Sequence, residues 1–313
     1  MALSLIRLLR PGDWAKNVFV LIPVVFWLAG GGEGPGSAAE LVARALAAAA
    51  AFSMAGSGFY CINDALDAAE DRLHPVKRRR PVAAGEVSPV AAVAFGITLV
   101  AGGLLVGWLV RPPVAWVLAA YVLFQVAYNA RLKRVRLVDV TTVATGFVLR
   151  AIAGAAAIGA AVSIWLVVVV FAFTLFLGFV KRLGDLRAAE LARARGEGTA
   201  WRPRAGYESA EDLNWLLAVT GSVAMVAYLA YALSDHARGL FGVRAVGFAL
   251  LAPLLFVVVH RLYLRANQGK ADSPVAAILA DRGASAAAGL FAVGVVLDLY
   301  WPPVADAIRA VFA

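Results

Sequence analysis

The sequence predicts an all-α, polytopic membrane protein of nine transmembrane helices, and three observations lead there. Of 313 residues, 62% are hydrophobic and only 16% charged. Soluble domains hold near 45 to 50% apolar and about 25% charged residues, so there is too little polar side chain here to cover a water-soluble globule. The apolar residues also fall into nine runs long enough to cross a bilayer, and Lys and Arg concentrate in every second connection between them. A soluble enzyme and a disordered chain are both excluded. The single cysteine, Cys61, rules out an internal disulfide and lies far from any histidine cluster that could hold zinc.

A hydrocarbon core of about 30 Å needs roughly 17 to 25 apolar residues per helix. The first run, 14–30, could pass for a signal peptide, because Lys16 precedes a stretch ending at Leu28-Ala29-Gly30. Pro11, Asp13 and Trp14 make an unsuitable leader, however, and the charge alternation of the later runs requires a first span. The second run, 41–62, leads directly into a group of acids. The third and fourth are 89–110 and 113–130, the latter ending in Tyr128-Asn129-Ala130-Arg131-Leu132-Lys133. In the fifth, 137–160, Asp139 and Arg150 are eleven residues apart. That is three turns with only about 20° of drift, so both project from one face. Ionisable groups inside a span are costly and face a cavity or a partner. The sixth run, 162–180, continues into Lys181-Arg182-Leu183-Gly184-Asp185, and the last three are 213–233, 240–260 and 284–301. Gly96, Gly102, Gly103, Gly146 and Gly154 allow close helix contact. Trp27, Trp108, Trp116, Trp165, Trp215 and Trp301 lie near expected span ends, as interfacial anchors do. No soluble portion remains outside the spans, so residues 1–313 read as one domain.

With the N-terminus in the cytoplasm, 23 of the 29 Lys and Arg fall in inner segments, as the positive-inside rule demands of a protein of the plasma membrane. The formal charge of +9 therefore follows from topology and implies no nucleic-acid partner.

The acids are more informative, because topology does not require them. After the second span comes Asn63-Asp64-Ala65-Leu66-Asp67-Ala68-Ala69-Glu70-Asp71. At about 100° per residue a helix continuing through this segment gathers Asp64, Asp67 and Asp71 within an arc of about 60°, with Glu70 pointing elsewhere. A solvated helix end balanced by arginines would also place acids here. Three like charges repel, though, and a divalent cation bridging to a phosphate ligand reverses that penalty. Immediately downstream stands His74-Pro75-Val76-Lys77-Arg78-Arg79-Arg80-Pro81. Carboxylates for Mg²⁺ followed within ten residues by Lys77, Arg78 and Arg80 make a site suited to a diphosphate. In the third inner segment Lys181 and Asp185 share a helix face beside Arg182, either as an ordinary ion pair or as a second polar patch.

Nine spans with Asn63-Asp64-x-x-Asp67-x-x-x-Asp71 at the inner end of the second resemble the UbiA superfamily of intramembrane prenyltransferases. That resemblance implies a bundle with a polar site facing the cytoplasm, where the acidic motif binds Mg²⁺ and the diphosphate of the donor. The family's second acidic motif, of Asp-x-x-x-Asp type after the sixth span, departs here: Lys181 takes the first place and Asp185 the second. The set His74-Pro-x-Lys77-Arg78-x-Arg80-Pro81, Leu132-Lys133 with Asp139, Leu149-Arg150, Lys181-Arg182 with Ala189-Glu190, and Arg10-Pro11-x-x-Trp14-x-Lys16-Asn17 is similar to one branch of the family. In that branch the diphosphate ligand is phosphoribosyl pyrophosphate and the lipid, a polyprenyl (decaprenyl) phosphate, is the acceptor. The product is a precursor for arabinose donors of the cell wall.

The resemblance implies that Asp64, Asp67 and Asp71 form the catalytic metal site, with Asn63 orienting it and Lys77, Arg78 or Arg80 neutralising the leaving pyrophosphate. Tyr128, Lys133, Asp139, Arg150, Lys181, Arg182 and Asp185 are the further substrate-binding candidates. A donor with a second phosphate needs more cationic contacts, and Lys181 in place of an acid moves in that direction. The anionic acceptor phosphate requires no general base, in keeping with a chain whose only histidines are His74, His236 and His260. A prenyltransferase acting on a polyprenyl diphosphate and a small aromatic acceptor is the alternative, and a transporter or channel with an acidic mouth is the reading from another class. The sequence is compatible with a homo-oligomer.

Overall fold

The structure, a computed structural model, describes all residues except 1, 33–35, 74–76, 197–203, 272 and 313. His74 and Pro75 of the basic motif therefore lie outside the described residues. α- and 3₁₀-helices make up every regular element among those described. Among the described residues, nine stretches are long and apolar enough to cross a membrane: Leu3–Ala29, Ala38–Leu66, Pro89–Val110, Pro112–Ala130, Val138–Ile158, Ile164–Ala194, Ala210–Leu233, Arg244–Asn267 and Arg282–Tyr300. They are called spans one to nine below. Their apolar side chains also remain exposed in quantity, among them Leu105, Trp116, Leu123, Val226 and Leu290. A chain in lipid keeps such residues outward, because bilayer tails solvate them while each helix satisfies its own backbone.

Two compact units divide the chain. The first holds residues 1–28, 32–130 and 146–162, and the second 29–31, 131–145 and 163–313.

In the first unit, span one is not a single helix. Helix Ala2–Leu9 stops at Arg10, whose backbone is left-handed (φ 50°, ψ 64°); a 3₁₀ segment, Pro11–Asn17, follows before the helix resumes at Val18. The apolar run expected from residue 14 thus begins inside the 3₁₀ turn. Pro11 explains the interruption, since proline disfavours the α conformation in the residue before it. Span two starts on a capping box: Ser37 Oγ accepts from the Glu40 amide, and the Glu40 carboxylate accepts from the Ser37 amide. It ends at Leu66, and a new helix runs from Ala68 to Leu73. The uninterrupted helix expected through the acids is therefore broken at Asp67, whose φ of −89° and ψ of 4° belong to the bridge region.

Spans two and three touch backbone to backbone. A Cβ on Gly58 would fall 2.5 Å from the Gly96 carbonyl oxygen, and one on Gly96 would fall 2.6 Å from that of Gly58. Gly154 lies against span one, where a Cβ would come within 2.0 Å of the Val20 carbonyl oxygen. Close approach of this kind replaces hydrophobic driving force in membrane helix packing. Gly146 departs from that expectation, since a Cβ there would meet Arg150 and Tyr121 at an ordinary 3.6 Å. The core of this unit joins Val20, Phe52, Val114, Leu118 and Tyr121 to alanines at 48, 51, 55, 153 and 157.

In the second unit, span six is one helix of 31 residues, so Lys181, Arg182 and Asp185 ride on a rigid rod that continues past the apolar run. Phe176, Phe179, Val180 and Leu183 on that rod pack with Leu213, Leu217, Val258, Leu262 and Tyr207. Span eight begins at Arg244 rather than 240 and is two helices meeting at Leu251, after a short helix Asp235–Phe241.

Candidate active site

Each unit contains its own ionic centre. In the first, the end of span two brings Asp64 and the short helix after it brings Asp71; their side chains are 2% and 3% exposed. A carboxylate enclosed to that degree must be paired. Arg80 bridges them, its Nη1 donating to Asp64 Oδ1 at 3.1 Å and to Asp71 Oδ2 at 2.7 Å. Arg10 Nη2 donates to the same Asp64 oxygen, and Lys77 Nζ stands 4.0 Å from Asp71 Oδ1. Two acids thus face three cations, a local excess of positive charge.

Local structure explains how those cations arrive. The left-handed turn at Arg10 carries its guanidinium to Asp64 and over the Tyr60 ring, 4.6 Å from the centroid. Lys16, in the following 3₁₀ turn, donates to Tyr60 at 3.2 Å and also to Asp13. The loop bearing Lys77 and Arg80 is tied down by Arg72 Nε donating to the Ala83 carbonyl at 3.3 Å and by Arg7 donating to the Arg79 carbonyl at 2.6 Å. Arg7 also pairs with Glu86 at 3.0 Å. Hydrogen bonds from Ser4 and Arg7 hold the Glu86 carboxyl below its usual range.

The remaining expected residues of this motif sit differently. Asp67 is half-buried at the helix break, with no ion pair among the described residues. Among those residues no three Asp, Glu, His or Cys side chains form a ready metal-ligand set. Of the three aspartates read as one face, Asp64 and Asp71 form a buried pair joined by Arg80, and Asp67 stands at the helix break outside that pair. The pair nevertheless fits Mg²⁺: two carboxylate donors converge on one positive centre, and Mg²⁺ takes one or two carboxylates while water and phosphate fill its other positions. Asn63 is half-buried and gives its carbonyl to the Asp67 amide at 2.8 Å, while Arg78 is exposed.

Arg150 is only 8% exposed and meets neutral partners. Its Nε donates to Asn17 Oδ1 at 2.8 Å, Nη1 to the Gly146 carbonyl at 2.8 Å and Nη2 to the Tyr121 hydroxyl at 3.1 Å. The rings of Tyr121, Phe52 and Phe147 lie 4.7, 5.5 and 5.5 Å from its guanidinium carbon. Asn17 in turn donates to Ser53 at 2.7 Å. Beside this network opens an apolar cavity of about 520 Å³, lined by Leu9, Trp14, Leu21, Met54 and Leu99, with Asn17, Ser53 and Ser57 as its polar members. Tyr128 is half-buried.

The second centre belongs to span six and the start of span five. Asp139, fully buried, accepts from Arg182 Nε at 2.8 Å and from the Tyr207 hydroxyl at 2.8 Å. Lys181 Nζ donates to Asp185 Oδ1 at 3.1 Å, as the four-residue spacing requires, and Arg182 Nη1 lies 3.8 Å from Asp185 Oδ2. The structure therefore joins Asp139, Lys181, Arg182 and Asp185 in one group; Lys133 stands half-buried in the 3₁₀ turn Leu132–Arg134 of the same unit. Arg10, Lys16 and Tyr60 at the first centre, Asn17 and Tyr121 around Arg150, and Tyr207 at the second were not singled out as site residues from sequence. Arg10, Lys16 and Asn17 did carry a signal, the Arg-Pro-x-x-Trp-x-Lys-Asn pattern; Tyr207 had none.

Residues 18–279 match the UbiA prenyltransferase family. The chain is 30% identical over 285 residues to a protein named decaprenyl-phosphate phosphoribosyltransferase from Mycobacterium tuberculosis, covering 89% of this chain and 88% of that one. It is 36% identical over 192 residues to the protein of the same name from Mycolicibacterium smegmatis, where the alignment spans 61% of this chain and 60% of the relative's length. Among solved structures, a UbiA homologue from Archaeoglobus fulgidus bound to GPP and Mg²⁺ superimposes with a TM-score of 0.62 at 17% identity, over 98% of this chain and all of that one. At that identity the likeness speaks for the fold alone.

Proposed function

Because the chain belongs to the UbiA prenyltransferase family, we propose that it is a Mg²⁺-dependent membrane transferase that moves 5-phosphoribose from phosphoribosyl pyrophosphate to a polyprenyl (decaprenyl) phosphate. The products are polyprenylphosphoryl-5-phosphoribose and pyrophosphate, a step toward arabinose donors for the cell wall. The observation that carries the reading is the second centre: where an isoprenyl-diphosphate enzyme of the resembled family places an acid, Lys181 stands paired to Asp185, beside an Arg182 that Asp139 holds. Such a centre serves an additional phosphate rather than a second metal.

Asp64 and Asp71 would hold Mg²⁺, with Asp67 at the helix break nearby. Bound there, the ion supplies Lewis-acid charge to the pyrophosphate oxygens. Arg10, Arg80 and Lys77 would neutralise the same leaving group. As the C1–O bond to pyrophosphate breaks, the leaving group gains negative charge and the ribose becomes oxocarbenium-like, so preorganised cations aimed at the pyrophosphate lower the barrier. The acceptor's phosphate oxygen, already anionic near pH 7, closes the new C1–O bond and no proton need be removed. The apolar cavity at Trp14, Leu21, Met54 and Leu99 has the lining a prenyl tail needs. The density of Lys and Arg in alternate connections supports a cytoplasmic N-terminus and site.

The test is incubation of the purified protein, in lipid, with labelled phosphoribosyl pyrophosphate, decaprenyl phosphate and Mg²⁺. Label should pass into the lipid fraction, and removal of Mg²⁺ should abolish the transfer. Absence of labelled lipid together with turnover of geranylgeranyl diphosphate would contradict the proposal in favour of ordinary prenyl transfer.

A further inference from the structure

Asp139 has no exposed surface, and both its oxygens are occupied, Oδ2 by Arg182 Nε and Oδ1 by the Tyr207 hydroxyl, each at 2.8 Å. A carboxylate so enclosed is not placed to meet a substrate. What it does is fix a guanidinium: by engaging Nε it turns the terminal nitrogens of Arg182 toward Asp185, with Nη1 3.8 Å from Oδ2, on the turn that also bears Lys181. A guanidinium held by Nε presents its terminal N–H groups as a fork that matches phosphate oxygens.

Tyr207, 1% exposed, is tied down on every side. Its hydroxyl accepts from the Leu137 amide at 2.9 Å, its ring meets Phe179 edge-on at 6.2 Å, and the Arg136 guanidinium carbon lies 5.7 Å from the ring centroid. Leu137 has φ 66°, a left-handed conformation that costs a residue with a side chain about 1–2 kcal/mol. The hydroxyl thus stabilises a strained turn that enters span five two residues before Asp139, and at the same time donates to Asp139 itself. Burial and the bond to Asp139 both oppose ionisation of the phenol, so the donor proton is retained.

We propose that Tyr207 is a positioning residue for a phosphate monoester: its hydroxyl sets Asp139, Asp139 sets Arg182, and Arg182 together with Lys181 receives the phosphate. The same chemistry is offered by the 5-phosphate of phosphoribosyl pyrophosphate and by the headgroup of a polyprenyl phosphate. Naming those two sources rests on the proposed transfer reaction; the chain of contacts does not.

Tyr207→Phe removes one hydroxyl and keeps the ring, and the full chain carrying it can be assayed with phosphoribosyl pyrophosphate and decaprenyl phosphate in turn. The expected result is a rise of about tenfold, the equivalent of 1.4 kcal/mol, in the KM of one substrate, with kcat and the other KM within about twofold. A rise for phosphoribosyl pyrophosphate assigns the site to the 5-phosphate, and a rise for decaprenyl phosphate assigns it to the lipid headgroup. Unchanged KM values, or a loss spread equally over both substrates and kcat, overturn the proposal. Asp139→Asn keeps the shape of the pair while removing its charge, and serves if the first variant does not fold; the same single KM must rise. Ribose 5-phosphate alone is the independent probe. It should protect the wild-type protein against thermal unfolding, and Tyr207→Phe should need about ten times more of it. That measurement stands even if no phosphoribosyl transfer occurs, a failure that would sink the proposed reaction only. Equal protection of both proteins overturns the positioning role.

Discussion

The two ionic centres are built from the same residue types and arranged in opposite ways. At the first, the carboxylates of Asp64 and Asp71 are the convergent groups, and the cation between them, Arg80, is 27% exposed and arrives on a loop. At the second, a single carboxylate, Asp139, is sealed by two donors, and the cations Arg182 and Lys181 are what the helix presents. Converging acids can exchange a bridging arginine for a divalent ion, whereas a saturated acid can only orient its partner. On the proposed reaction, this difference would put metal and diphosphate at the first centre and phosphate at the second, although a count of charges would not separate them.

The largest expected effect comes from breaking the first arrangement. Asp64→Asn should lower kcat by about 10²–10³-fold, the scale of removing one electrostatic stabiliser from a transition state, and excess Mg²⁺ should not restore it. Arg182→Lys keeps the charge of the second centre but loses the fork and the Nε contact; kcat/KM should fall about 30-fold, roughly 2 kcal/mol, with the Mg²⁺ dependence unaltered. Lys181→Asp turns the second centre toward the acidic motif of the resembled family, and a KM for phosphoribosyl pyrophosphate about tenfold higher would sharpen the contrast. If that variant instead gained a second metal-dependent phase with no change in KM, the contrast between the centres would fail.

Arg150→Gln probes neither centre. Its partners are an amide, a carbonyl and a phenol within the first unit, so the variant should lose about 1–3 kcal/mol of stability against denaturant while both KM values hold. The smallest effect concerns pH. Because burial raises the Tyr207 phenol above its usual value near 10, the folded state favours the protonated form; that contribution is complete below pH about 10 and is lost only as the pH rises beyond it. The activity ratio of wild type to Tyr207→Phe should therefore stay flat between about pH 6 and 9.

How far these features could be read from sequence depends on their range. Spans are local, so apolar runs located the nine found among the described residues, and the Lys181–Asp185 pair followed from helical spacing alone. The break at Asp67 was illegible, because nothing in Ala65-Leu66-Asp67-Ala68 opposes a helix; only the burial of Asp64 and Asp71 around Arg80 shows the arrangement the chain adopts instead. Arg10 depends on a left-handed turn between two helical segments. Tyr207 depends on a contact with a residue 68 positions earlier in the chain, beyond the reach of any periodicity. Arg150 was legible as a costly buried charge, but its neutral partners on spans one and four were not.

If the convergent carboxylates hold the metal and the saturated one does not, Mn²⁺ in place of Mg²⁺ will report the difference. Electron paramagnetic resonance of the purified protein with pyrophosphate can be compared among wild type, Asp64→Asn and Asp139→Asn. The bound-Mn²⁺ signal should vanish in Asp64→Asn and persist in Asp139→Asn; a signal that survives the first substitution and is lost in the second would contradict the account.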